Sequence, residues 1–321
     1  MEKELYHYCS NQKAVAILSG RSIRMSDIQK SNDYKELSLF FPRIFDYLEH
    51  LYLKNPFRFK YNNEVGRKAF YDLLDFSYHY WENRFSSGDF SNLVLCLSES
   101  DDSLSQWRGY ADNGKGFCIG FSKNQLKKYC DNSNGVLRLE KVTYLEEEGI
   151  LKVIEDEAHD ILYSLKGMRK WIVDKMTHDD DNPDTDGLIG FNFDGGLESV
   201  FTDSLKYKSY AFHEEREWRM FLSKQAYKNP DWICSKTNKK LGGPAGFSET
   251  VDFLKNKICF HATEDDLIPY YPIKFDEFLK SPVTSVYLGP KNKVRMADIE
   301  LFLRQYGYEK TVVKSSKITY H

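Results

Sequence analysis

Proline and glycine are scarce in this chain, 9 and 19 of 321 residues. That excludes a collagen-like repeat and a low-complexity linker protein. No apolar run approaches the ~18–20 residues that a membrane-spanning helix needs, so no membrane partner is expected. The opening Met-Glu-Lys-Glu-Leu-Tyr-His-Tyr lacks the basic-then-apolar order of a secretory leader, and a cytoplasmic location is expected. Cysteine is limited to 6 residues with no Cys-x-x-Cys. Cys9, Cys96, Cys118 and Cys259 stand in apolar surroundings, which predicts reduced core thiols, no disulfide frame and no metal site. Excess charge of one sign is also missing. The 45 basic residues against 48 acidic ones give a net charge of −3, which excludes a surface given over to nucleic acid and leaves room for a local basic groove. What the chain has in abundance is aromatic side chains: 22 Phe, 22 Tyr and 5 Trp. Such a sequence can bury a sizeable core and is not disordered as a whole.

The apolar pattern switches irregularly between periods of two and 3.6. Strands are predicted at 5–9, 23–26, 93–98, 117–121, 136–144, 215–222, 258–261, 284–288 and 311–314. A short helix over 13–18, capped by Asn11 and stopped by Gly20, follows the first strand. A helical turn is predicted over 104–109, and helices over 123–129 and 294–306. Longer helical periodicity covers 36–53 and 64–85, and again 146–177 before an acidic loop at 178–186. There is no βαβ period, no internal repeat and no Gly/Ser/Pro linker. The expected fold class is therefore α+β: a mixed, mostly antiparallel sheet core in one domain over 1–321, with helical insertions at about 36–85 and 146–177.

Several motifs are weighed and set aside. His213-Glu214-Glu215-Arg216-Glu217 has Glu where a zinc hydrolase helix needs its second His. Asn182–Gly187 begins like a calcium loop, but Phe193 stands at the position that needs a bidentate Glu. Gly114-Lys115-Gly116 lacks phosphate-loop spacing and reads as a turn into a strand, with backbone N–H groups that could meet a phosphate.

Two clusters hold more chemistry. On a strand, Glu215, Glu217 and Arg219 share one face, with Arg216, Trp218 and Met220 on the other. Paired carboxylates raise one another's pKa unless a cation intervenes, and Arg219 is that cation. The cluster is either a structural ion pair or a carboxylate site that grips a ribose hydroxyl or activates a nucleophile. Trp218 assigns its own face to the core, so Glu217 points to a polar cleft or to solvent. Trp107, Arg108 and Tyr110 stand just before the Gly-rich loop, where aromatics and a cation suit a planar ring and a phosphate. Cys96, in a run apolar on both faces, is expected to be buried.

The segments Leu5-Tyr6-His7-Tyr8, Ser31-Asn32-Asp33-Tyr34-Lys35-Glu36, Cys96-Leu97-Ser98-Glu99, Gln106 to Gly116, Glu215-Arg216-Glu217-Trp218-Arg219 and Val286-Tyr287-Leu288-Gly289 together resemble a bacterial family catalogued as domain-of-unknown-function family 2971. That family commonly has Asn-Asp-Pro-Phe-Glu where this chain has Asn-Asp-Tyr-Lys-Glu. The layout also resembles an ADP-ribosyltransferase fold, with a polar residue on the first strand, aromatics mid-chain and a late strand bearing Glu-x-Glu. That resemblance implies an enzyme consuming NAD as substrate without a metal, in a toxin or antiphage defence effector. It implies catalytic roles for Glu217 and Glu215, and substrate-binding roles for His7, Trp107, Arg108, Tyr110, Arg219 and the turn residue Asn32. The implied partners are a small-molecule nucleotide and a protein or nucleic-acid acceptor. Two other readings stay open. One is a non-enzymatic sensor or partner-binding module of a defence system. The other is a magnesium nuclease using Asp33, Glu36 and the Glu215/Glu217 pair.

Overall fold

The computed structural model describes residues 3–28, 39–54, 93–167, 203–222, 257–263 and 265–320, with 197, 200 and parts of 67–82. Asn32, Asp33, Glu36 and the acidic loop at 178–186 lie outside the described residues.

The chain opens with β1 (Glu4–Cys9), α1 (Asn11–Ser19) and β2 (Ser22–Asp27). The cap of α1 is Ser10 rather than Asn11: its hydroxyl accepts from the Lys13 N–H, and Gly20 closes the helix through its N–H to the Ala16 carbonyl. Helix α2 (Phe41–Lys54) follows, with Pro42 in its first turn, where the missing N–H costs nothing. Next come β3 (Leu93–Ser98), α3 (Leu104–Tyr110), β4 (Phe117–Ser122), α4 (Lys123–Asp131), β5 (Leu137–Lys141), β6 (Thr143–Leu145) and α5 (Glu147–Gly167). The single strand expected over 136–144 is thus two. They part at Val142, whose N–H donates to the Glu217 carbonyl. The remaining elements are β7 (Tyr207–Ser209), β8 (Glu217–Leu222), β9 (Cys259–Ala262), β10 (Leu267–Lys274), β11 (Val283–Leu288), α6 (Met296–Gln305) and β12 (Val312–Ser315).

Ten strands form one sheet, and β6 and β7 form a separate parallel pair. In the large sheet only β11 and β12 run parallel, so the fold is α+β with a mixed, mostly antiparallel sheet. Its organising feature is β3. One edge of β3 pairs with β8 from Val94 to Ser98. The opposite edge is shared: Val94 pairs with Ser26 of β2, and Ser98 pairs with Tyr6 of β1. Beyond those contacts the two neighbours diverge. β1 runs on beside β4, from Glu4↔Ser122 to Cys9↔Phe117, and β2 runs beside β10. The sheet splits along the middle of β3, where its β1 and β2 neighbours part.

One face of the sheet carries the main core. Leu5, Ile23, Met25, Leu95, Leu97, Ile119, Met220 and Leu222 bury against Leu18 of α1, Leu126 of α4 and Leu303 of α6. The other face carries two smaller apolar clusters. Tyr8, Trp107, Cys118 and Tyr287 pack beneath α3, and Ile28, Val94, Leu205 and Phe221 pack on the β2 side. Helices α2 and α5 build a separate core from Ile44, Leu48, Ile154, Ala158 and Ile161. Tyr207 of β7 packs against that core, and Lys208 turns away from it toward the split in the sheet.

Candidate functional site at the split in the sheet

A cavity of about 110 Å³ opens between the two small clusters, lined by β1, β3, α3, β7 and the start of β8. It is small beside the ~300–1,000 Å³ of ordinary ligand pockets and takes a group the size of one ring.

Glu217 and Arg219 enter it from β8, two residues apart on one strand face. They are 5 % and 1 % exposed. The Arg219 Nε donates to Glu217 Oε1 at 2.8 Å, its Nη2 to Oε2 at 3.1 Å and its Nη1 to the Leu205 carbonyl at 3.0 Å. This planar fork on a carboxylate is the geometry that Arg supplies and Lys does not. Burial pushes the Glu217 carboxyl up, but Arg219 and Lys208 outweigh it and hold the group below the ordinary Glu value.

Glu215 does not lie on β8. It ends a 3₁₀ turn (Tyr210–Glu215), and Arg216 follows in the left-handed region at φ 47°. That residue breaks the strand alternation on which the expected shared face depended. The two carboxylates meet by another route. The buried Lys208 ammonium donates to Glu215 Oε2 at 2.7 Å and lies 3.5 Å from Glu217 Oε2. Nothing in the sequence around Lys208 marks it, because a three-residue strand carries no readable period.

Tyr110, on the last turn of α3, donates its hydroxyl to Glu215 Oε1 at 2.9 Å. Burial first, and then the Glu215 charge, hold its phenol well above the ordinary range, so it remains a donor. His7 lines the cavity from β1, and its Nδ1 lies 3.2 Å from the Cys96 carbonyl, in the stretch of β3 between its β1 and β2 pairings. With Nδ1 donating, Nε2 is an acceptor. Burial lowers its pKa to about 4, so the ring is neutral near pH 7.

Three sequence expectations need correction. Trp107 is not a cavity residue. It is fully buried, edge-on to Tyr8 at 4.8 Å, and its Nε1 donates to Asp102 Oδ1 at 2.7 Å. Gln106, four residues before Tyr110, shares its cavity-facing side of α3, whereas Trp107 is turned roughly 100° from Gln106 about the helix axis and packs into the core. Arg108 is exposed and is not part of the cavity lining. Cys96 is exposed, not buried. It sits opposite Arg219 in the β3–β8 register and faces the cavity, whereas Leu95 and Leu97 fill the core. The Gly114–Gly116 loop is likewise outside the lining. Its three N–H groups are taken by the Ala111 and Asp112 carbonyls, which leaves none for a phosphate. A side chain at Gly116 would meet the Cys9 carbonyl at 2.1 Å, so this glycine serves close packing.

Among the described residues no helix is long and apolar enough to cross a membrane, and no group of three or more His, Cys, Asp or Glu is placed to hold a metal ion. No curated protein and no solved structure matches the chain. The resembling segments at Leu5–Tyr8, Cys96–Glu99 and Val286–Gly289 frame the sheet outside the matched stretch. Over residues 106–220, from α3 with Tyr110 to β8 with Glu217 and Arg219, the chain matches the family model described as Protein of unknown function (DUF2971).

Proposed function

We propose that this chain consumes NAD and transfers its ADP-ribose group to an acceptor, acting in bacterial toxicity or antiphage defence. The observation that carries the reading is the convergence of His7, Tyr110, Glu215 and Glu217 on one ring-sized cavity at the split in the sheet. In the reaction the bond between ribose C1′ and the nicotinamide nitrogen breaks, and nicotinamide leaves with the bonding electrons. Positive charge develops on the ribose. Glu217 is held as a carboxylate by Arg219, and its negative charge meets a ribose hydroxyl and the growing charge on the ring. The acceptor atom then bonds to C1′ and gives up its proton, for which Glu215 is the base. The neutral His7 ring offers Nε2 to a sugar hydroxyl.

The binding-module reading has one observation in its favour: Lys208 and Arg219 already balance Glu215 and Glu217, as a structural ion cluster does. For the nuclease reading, Asp33 and Glu36 lie outside the described residues, and the Lys208 ammonium stands between the other two carboxylates.

The test is Glu217→Gln assayed for NAD consumption beside a thermal melt. The enzyme reading expects turnover per folded molecule to fall about 100-fold or more, beyond whatever stability is lost when buried Arg219 loses its counter-charge. A destabilised variant with normal activity per folded molecule would sink it in favour of the ion cluster.

A further inference from the structure

The four charged groups of the cavity, Lys208, Arg219, Glu215 and Glu217, are bonded to one another, and His7 is neutral. One strongly polar side chain remains. Gln106 lines the cavity from α3, one helical turn before Tyr110, and is only 7 % exposed. Among the described residues its amide makes no hydrogen bond, and its atoms are open to the cavity rather than sealed off from water. Water meets such an amide in the free protein, and a ligand that displaces that water must match its donor and its acceptor or lose affinity.

We infer that Gln106 is a specificity-determining residue that reads an uncharged carboxamide carried on a flat ring. Its Oε1 accepts from the ligand amide N–H, and its Nε2 donates to the ligand carbonyl. A primary carboxamide satisfies both at once, and a carboxylate, which only accepts, satisfies one. A carboxylate would also need a cation, and the two in the cavity are held by Glu215 and Glu217. Tyr6, Tyr8 and Tyr110 line the space beside Gln106 and suit the ring that bears the amide. The inference deepens the NAD reading and rests on it for the identity of the ring.

The probes are free nicotinamide and free nicotinate, titrated against the full chain by ligand-observed NMR. The wild-type protein should bind nicotinamide about tenfold or more tighter than nicotinate. Gln106→Met, close in volume and unable to form the pair, should bind nicotinamide about tenfold more weakly and lose the preference. Gln106→Glu, which keeps the acceptor and loses the donor, should weaken it similarly, and melts of both variants establish that they fold. Retained discrimination in either folded variant, or a wild-type chain that binds the two probes equally or binds neither, overturns the inference. A parallel assay of NAD consumption separates it from the enzyme reading. Amide discrimination without NAD consumption leaves the inference standing and the enzyme reading fallen, and NAD consumption with Gln106-independent discrimination does the reverse.

Discussion

On one face of the β3–β8 pair lie Leu95, Leu97, Met220 and Leu222; on the other, from the same two strands one residue out of step, lie Cys96, Ser98, Glu217 and Arg219. The first face is covered; on the second Ser98, Glu217 and Arg219 are buried and Cys96 is exposed to the cavity. The first is held by area: each side chain contributes its own transfer free energy, about 1.5–3 kcal/mol when fully buried, and a neighbour of similar volume can replace it. The second is held by reciprocity. Glu217 is tolerable in a buried position only because Arg219 and Lys208 are there, and they are tolerable only because of it. The polar face is therefore the more fragile of the two and the one with chemical potential.

The largest effect should come from breaking that reciprocity. Arg219→Met leaves Glu217 buried with the more distant Lys208 ammonium, at 3.5 Å, as its remaining cation. It should cost about 3–5 kcal/mol in urea unfolding at neutral pH. Met220→Leu, next along the strand and facing the core, should cost less than about 1.5 kcal/mol. Equal losses in the two variants would show that the faces do not differ as described.

A smaller loss is expected one layer out, where the sequence alone misleads. Trp107→Phe removes volume from the Tyr8–Trp107–Tyr287 cluster and the N–H donor to Asp102. About 2 kcal/mol should be lost in the same unfolding experiment. Because Trp107 stands behind the cavity rather than in it, nicotinamide affinity of the folded variant should change little. A selective loss of affinity would put the indole back in the site.

Much of the sheet was legible because its strands state their period or their apolar character plainly, as Leu93–Ser98 does. β10 was not. Pro269 and Pro272 interrupt it, and a strand carrying two prolines reads as a loop. Of the site, Glu217 and Arg219 were legible because strand alternation fixes them to one face. Glu215 reaches the cavity by a route that strand alternation does not describe, since no pattern announces that Arg216 adopts a left-handed conformation. Lys208 and Gln106 were missed as cavity residues. Their roles depend on β7 and α3 being brought to the split in β3, and tertiary placement of that kind leaves no local trace. Cys96 was misjudged because an all-apolar run does not reveal that one face of its strand meets a cavity.

Between pH 6.5 and 4 two groups of the polar cavity, His7 and Glu217, should part company. The folded-state pKa of His7, about 4, lies below the ordinary 6.5, so in that window the unfolded chain binds a proton that the folded chain does not. Stability must rise with pH across the window and fall as acid is added. His7→Gln should flatten this slope by of order 1 kcal/mol, read from urea midpoints at pH 4.5, 5.5 and 7. Glu217 has a lowered carboxyl pKa as well. Its stabilisation is present above the unfolded value and is lost only as pH falls through the folded one. Its acid loss therefore falls below about pH 4.3, and the two windows separate the residues. A slope unchanged in His7→Gln would mean that the ring titrates normally.

The smallest effect should be Tyr110→Phe. The ring stays, and only the hydroxyl that donates to Glu215 is lost. Glu215 keeps the Lys208 ammonium at 2.7 Å, so no buried charge is stranded. Tyr110 is 41 % exposed, and water can replace the missing donor. Stability should fall by less than about 1 kcal/mol. Function is where this variant is informative. If Tyr110 fixes the direction of Glu215, NAD turnover should drop several-fold with nicotinamide affinity intact, because the ring wall is preserved and the proton acceptor is not. If Tyr110 serves only as a wall, both quantities should match the wild type. A loss of affinity without a loss of turnover would contradict either role, because the phenylalanine ring presents the same face to the cavity.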